Sequence, residues 1–214
     1  MSSMPAPGSL IIVSGPSGAG KSALSGAVLS MIRGICFSIS YTTRPPRGNE
    51  RNGVEYYFVS KEDFQGLIRR GELLEWAEVY GNYYGTAHQF IDSRRREGFD
   101  VLLDIDVQGA HSIREKRPDA VSIFIMPPSY QVLKTRLEER RLDKEYVIEQ
   151  RLAIARREVM QFRQYDYLII NETFERSVEE LKAIILGIRC RIASRTGPAE
   201  SIIATFGGLD AESA

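Results

Sequence analysis

Apolar residues occur along this chain in short, dense runs. Residues 10–13, 101–105, 121–126 and 167–170 are rich in Val, Ile and Leu, with little polar alternation. A strand buried on both faces reads this way, and such strands belong to parallel sheets. Between the runs lie longer segments whose apolar positions recur at helical spacing: 22–32, 89–97, 107–116, 129–141, 147–161 and 177–192. Strand alternating with helix predicts an α/β fold, a parallel sheet covered by helices on both faces. Residues 37–40 supply a candidate further strand.

Residues 41–86 break the rhythm. They carry Tyr41-Thr42-Thr43-Arg44-Pro45-Pro46-Arg47, then Tyr56-Tyr57-Phe58-Val59, Leu74-Glu75-Trp76 and Tyr80-Gly81-Asn82-Tyr83-Tyr84-Gly85-Thr86. Turn residues between alternating aromatics predict short antiparallel strands, an insertion beside the core. Residues 1–8 are small and Pro-containing and predict a flexible N-terminus. Residues 194–214, with Gly197-Pro198 and Gly207-Gly208, predict a tail of weak order.

The first apolar run leads straight into Gly15-Pro16-Ser17-Gly18-Ala19-Gly20-Lys21-Ser22, a G-x-x-x-x-G-K-S loop opening a helix. Its glycines allow a tight turn of N–H groups around an anion, and the helix behind adds its positive end. Lys21 reaches the outer phosphates of a nucleoside triphosphate, and the Ser22 hydroxyl is a ligand for Mg²⁺. Such a site needs an acid at the end of a neighbouring strand. Asp104, closing Val101-Leu102-Leu103, is that acid. Asp106 follows on the same side, and the bland alternative for it is a helix N-cap.

Other constellations are less specific. Arg44 and Arg47 sit on a Pro-stiffened stretch, and arginines fork onto phosphate oxygens. Tyr56 and Tyr84 offer phenolic donors. Glu75 either pairs with those arginines or accepts hydrogen bonds from a flat ligand. Arg136, Arg140, Arg141 and Arg151 form either a flap over a transferring phosphate or a solvated face paired with Glu138, Glu139 and Glu149.

Composition narrows the classes. The chain has 28 Lys+Arg and 28 Asp+Glu, a formal net charge of zero, so it shows no electrostatic footprint for nucleic acid or an acidic membrane. Two cysteines, Cys36 and Cys190, make no disulfide framework, and two histidines make no zinc site. No run reaches membrane-spanning length and no secretory signal is present, which predicts a cytoplasmic protein. Monomer and homo-oligomer both stay open.

Together these stretches resemble the guanylate kinase family over residues 10–188. Beyond the loop, the resemblance rests on Ser40 to Arg47, Asn52-Gly53-Val54-Glu55-Tyr56-Tyr57-Phe58, Glu75-Trp76-Ala77, Gly81 to Thr86, and Asp104-Ile105-Asp106-Val107-Gln108-Gly109-Ala110. It implies a P-loop three-layer sandwich with a parallel core sheet (9–40, 87–127 and 156–193), a mixed α/β GMP-binding insertion (41–86) and a helical lid (128–155). It implies transfer of the γ-phosphoryl of ATP to GMP, and to dGMP, with Mg²⁺. By motif position, Gly15 to Ser22 would hold ATP. Ser40, Arg44, Arg47, Tyr56 and Tyr84 would hold the GMP phosphate, and Glu75, Thr86 and Asp106 would read the guanine. Lys21, Arg44, Arg136, Arg140 and Arg151 would be catalytic, and Ser22 and Asp104 would face the metal.

The lid departs from the family pattern. A glycine usual after its second arginine is replaced by Arg141-Leu142-Asp143-Lys144, so Arg140 and Arg141 compete for one role. Guanylate-kinase-like domains also serve as protein-binding scaffolds, typically with a damaged phosphate loop. Here that loop is intact. A third reading is another small-molecule phosphoryl transferase on the same core, against which Glu75 and the Tyr84–Thr86 stretch argue.

Overall fold

A computed structural model describes residues 6–79, 81–139 and 145–206. Its centre is β1 (Leu10–Ser14), all of whose residues are buried. β2 (Ile35–Phe37), β7 (Asp100–Asp104), β8 (Val121–Met126) and β9 (Tyr167–Ile170) complete a five-stranded sheet of order β2-β7-β1-β8-β9. Every pairing in it is parallel. The further strand lies at 35–37 rather than 37–40, pairing Ile35 with Asp100.

Alternation along β1 builds both sides of the core. Ile11 and Val13 face α1 (Lys21–Met31) and α7 (Phe174–Arg189) through Leu24, Val28, Leu181 and Ile185. Leu10 and Ile12 face the opposite layer, where α3 (His88–Arg96) supplies Ile91 and α4 (Val107–Lys116) supplies Ala110 and Ile113. Three layers result. The C-terminal ends of β1 and β7 lie side by side, with Val13 opposite Asp104. Parallel sheets bind ligands beyond those ends.

The insertion forms a second sheet of order β4-β3-β6-β5. Its strands are β3 (Tyr41–Thr42), β4 (Tyr57–Phe58), β5 (Leu73–Val79) and β6 (Asn82–Ala87). Only the pairings of β6 with β3 and β5 are antiparallel; β3 and β4 run parallel. The insertion also holds a helix that the strand pattern does not predict, α2 (Lys61–Arg69). Ser60 caps it by accepting from the Asp63 N–H at 3.0 Å, and Phe64 and Leu67 bury its inner face. The signal was present as Ser-x-x-Asp ahead of apolar residues at helical spacing. Phe64 stacks on Tyr83, with ring centroids 5.5 Å apart.

The segment after β8 forms α5 (Tyr130–Glu139) and α6 (Glu145–Glu158), packed through Leu133, Leu137, Leu152 and Ala155. A 3-10 helix, Val159–Gln164, leads into β9. Part of the tail read from the sequence as weakly ordered is helical: α8 (Ile192–Thr205) contains Pro198 and no buried residue.

Candidate active site

The phosphate loop joins β1 to α1. Gly15, Gly18 and Gly20 have φ of 139°, 88° and 98°, a region L side chains rarely adopt. Space forbids side chains there as well. A Cβ on Gly15 would lie 2.2 Å from the Ile125 carbonyl oxygen, and one on Gly20 would lie 2.4 Å from Asn171 Nδ2. Lys21 Nζ donates to the Gly15 and Pro16 carbonyls at 2.7 and 3.1 Å, so its charge is held inside the loop. Ser22 Oγ donates to Asp104 Oδ2 at 2.5 Å.

Hydroxyl and carboxylate oxygens are the donors a hard cation such as Mg²⁺ takes. The described residues offer no group of three or more His, Cys, Asp or Glu able to hold a metal. A cation held by this pair would take the rest of its shell from phosphate and water, as Mg²⁺ usually does. Ser22 and Asp104 fit that ion.

Asn171, which the sequence reading missed, ties the far side of the loop. It is 5% exposed and donates from Nδ2 to the Ala19 carbonyl at 2.7 Å. The Asn171 backbone carbonyl accepts from Arg136 Nη2 at 3.0 Å. Arg136 Nη1 is buried with no partner among the described residues. Arg136 also lines an open cavity of about 390 Å³, together with Gly18, Gly20, Glu139, Asn171 and Phe174. An orphaned guanidinium N–H beside a phosphate loop is a place for an anion. A larger groove of about 620 Å³ lies between α5 and α6, near Tyr130, Ile148 and Arg156, and holds none of the motif residues. Arg151 is buried on α6. Arg140 and Arg141 lie outside the described residues.

The insertion holds two polar clusters. In the first, Arg44 is 7% exposed, with its guanidinium 5.5 Å from the Tyr56 ring centroid. Tyr56 and Tyr84 meet edge to face at 5.9 Å. Burial pushes the Tyr56 phenol well above its ordinary range, so it stays a donor. The partner of Arg44 is Glu50, not Glu75. Arg44 Nη2 donates to Glu50 Oε1 at 3.0 Å, and the Arg47 backbone N–H donates to Glu50 Oε2 at 2.8 Å. The Arg47 side chain is exposed. Glu50 sits three residues after Arg47, across a turn in which its N–H donates to the Arg47 carbonyl at 3.1 Å. That spacing was the available signal.

The second cluster surrounds Glu75. A bulge shifts the β5–β6 register between Leu73 and Glu75, so consecutive Leu74 and Glu75 are both buried. Leu74 enters the core, and Glu75 stands opposite Thr86. Bulges beside sites commonly re-aim a side chain. Thr86 Oγ1 donates to Glu75 Oε1 at 2.7 Å, and Ser40 Oγ lies 3.4 Å from Thr86 Oγ1. Ser40 therefore belongs with the Glu75 cluster. Asp106 approaches from the core and caps α4 by accepting from the Gly109 N–H at 2.7 Å. Burial, with a further push from Asp106, lifts the Glu75 carboxyl to about 7.

The guanylate kinase family model matches residues 8–187. A guanylate kinase of Xanthomonas campestris pv. campestris is 50% identical over 184 residues, covering 86% of this chain and 91% of that relative. One from Koribacter versatilis is 48% identical over 190 residues, 87% of this chain and 82% of that relative. Among solved structures, guanylate kinase from Anaplasma phagocytophilum is similar at a TM-score of 0.81 and 33% identity. That match covers 97% of this chain and all (100%) of the other.

Proposed function

The chain belongs to the guanylate kinase family, and from that premise we propose how its own residues serve the transfer. The activity is that of an ATP:GMP phosphotransferase, giving ADP and GDP. The core comprises 9–40, 87–127 and 156–193, the GMP-binding insertion 41–86 and the lid 128–155. The supporting observation is an intact phosphate loop in one chain with a buried carboxylate, Glu75, that Thr86 holds.

Two polyanions must meet, so their repulsion is cancelled before positioning helps. The loop amides from Gly15 to Ser22 and the Lys21 ammonium hold the ATP phosphates. Arg44, Arg47, Tyr56 and Tyr84 hold the GMP phosphate, with Glu50 fixing the Arg44 guanidinium. Arg136, Arg151 and one of Arg140 or Arg141 bring positive charge onto the oxygens that become more negative in the transition state. Ser22 and Asp104 would hold Mg²⁺, which when bound neutralises charge on the outer phosphates. The lid excludes water, which would otherwise attack ATP. Direct transfer needs no covalent enzyme intermediate.

Base choice follows from hydrogen-bond polarity. The Watson–Crick edge of guanine carries a ring N–H beside an amino group, and one carboxylate accepts from both. Adenine presents a bare acceptor there, which leaves a buried carboxylate unmatched. Glu75, with Thr86, Ser40 and Asp106 around it, reads guanine. None of the assigned contacts reaches the sugar, so dGMP is accepted too. Two free thiols, Cys36 and Cys190, fit a cytoplasmic setting. No described helix is long and apolar enough to cross a membrane.

Lys21→Ala tests the role of the loop. Its melting temperature should stay near that of the parent while turnover in a coupled ADP assay falls by roughly a hundredfold or more. Retained turnover removes Lys21 from the chemistry.

A further inference from the structure

Gly109, the third residue of α4, lies under two carboxylates. A Cβ built on it would stand 2.9 Å from Glu75 Oε2, 3.3 Å from Glu75 Cδ and 3.5 Å from Asp106 Oδ1. Its φ is not among the positive ones, so no turn demands glycine here. A glycine inside a helix weakens that helix relative to alanine. Neither backbone shape nor propensity accounts for it; the room it leaves does.

Glu75 has little freedom to retreat. It is 4% exposed, and Thr86 holds its Oε1 at 2.7 Å. Its strand is pinned from behind by Lys116 Nζ, which donates to the Leu74 carbonyl at 2.6 Å. A methyl group at 109 would therefore displace the carboxylate itself.

We propose that Gly109 is a positioning residue for base recognition. Its missing side chain is the slot in which Glu75 Oε2 stands. The slot brings one carboxylate from the insertion and one from the core to a single point. Guanine offers adjacent N–H donors there and satisfies both. The inference rests on the reading that Glu75 accepts from guanine.

The test is steady-state kinetics of full-length Gly109→Ala with GMP and ATP varied separately, beside a thermal melt. The expected result is a KM for GMP raised roughly tenfold, with KM for ATP and kcat within about twofold of the parent. The melt should show a folded protein with one cooperative transition. Glu75→Asp pulls the carboxylate back from the slot, so its penalty should shrink in the Gly109→Ala background, giving a non-additive cycle. A KM for GMP within twofold of the parent overturns the proposal. So do equal rises in both KM values, or strict additivity with Glu75→Asp. If Gly109→Ala does not fold, Gly109→Ala/Glu75→Asp must; failure of both contradicts the slot. Glu75→Gln separates the two layers. Unchanged GMP kinetics in that variant sinks the guanine reading itself, whereas damage there with a silent Gly109→Ala sinks only the role of Gly109.

Discussion

Glu75 is a carboxylate placed where its proton is favoured. Burial is the main cause and Asp106 adds to it; the Thr86 hydrogen bond and Lys116 pull the other way, leaving the group at about 7 rather than 4.5. Because the folded value is the higher one, its contribution to stability is fully present below about 4.5 and is lost as pH rises through 7. Guanine needs the opposite state, the charged acceptor. Affinity for GMP should therefore rise as pH increases through 7. Glu75→Gln should cut kcat/KM for GMP at least tenfold, about 1.4 kcal/mol, and remove that part of the pH dependence. The same variant should gain stability over the parent on going from pH 5 to pH 8, by something on the order of 2 kcal/mol. Melts at the two pH values, run beside GMP titrations, check both signs. A stability difference that does not change with pH would mean that Glu75 is already fully charged in the empty protein. At this scale the residues proposed for the chemistry, Gly15 to Ser22, Glu75 and Asp106, could be picked out by type and spacing. The sequence offered only a short spacing for Glu50 and nothing for Asn171. Their jobs exist only once a turn brings Glu50 under Arg44 and the end of β9 meets Ala19.

Elements place these residues by local devices. The bulge in β5 turns Leu74 into the core and Glu75 toward Thr86 with no intervening residue. Plain alternation would have sent neighbouring side chains to opposite faces. That bulge was not legible, because nothing in Leu73-Leu74-Glu75 marks an extra residue; the partner strand sets it. α2 was legible in principle, through Ser60 and Asp63, but aromatic alternation on either side favoured strands, and only the family resemblance implied a mixed α/β insertion. Ser60 both accepts from the Asp63 N–H at 3.0 Å and donates to Asp63 Oδ2 at 2.6 Å. Ser60→Ala should cost about 1 kcal/mol in a denaturant titration and leave kcat unchanged, since Ser60 is not among the residues proposed to touch either substrate. A loss of kcat with no loss of stability would contradict that division of labour. The strands of the main sheet were the easiest to read. They are buried on both faces, and continuous short runs of Val, Ile and Leu suit few environments but the middle of a covered sheet.

For the molecule as a whole, balanced charge conceals a polarised site. Lys+Arg and Asp+Glu are equal at 28 each, yet Lys21, Arg44, Arg47, Arg136 and Arg151 are all proposed to meet phosphate oxygens. Alternating strand and helix foretold the three layers, and the broken rhythm of 41–86 foretold the insertion. The helix α8 escaped notice because its Gly197-Pro198 pair reads as a breaker, and no tertiary contact buries a residue of it. The proposed function rests on a cationic cradle joined to an acidic selector for the base. The pairing is tested most directly by presenting the purified chain with ATP and, in parallel, GMP, dGMP, AMP and UMP, and following ADP. The expected result is rapid ADP formation with GMP and dGMP, and rates with AMP and UMP lower by about a hundredfold or more. Equal use of AMP, or no ADP with GMP, would contradict it.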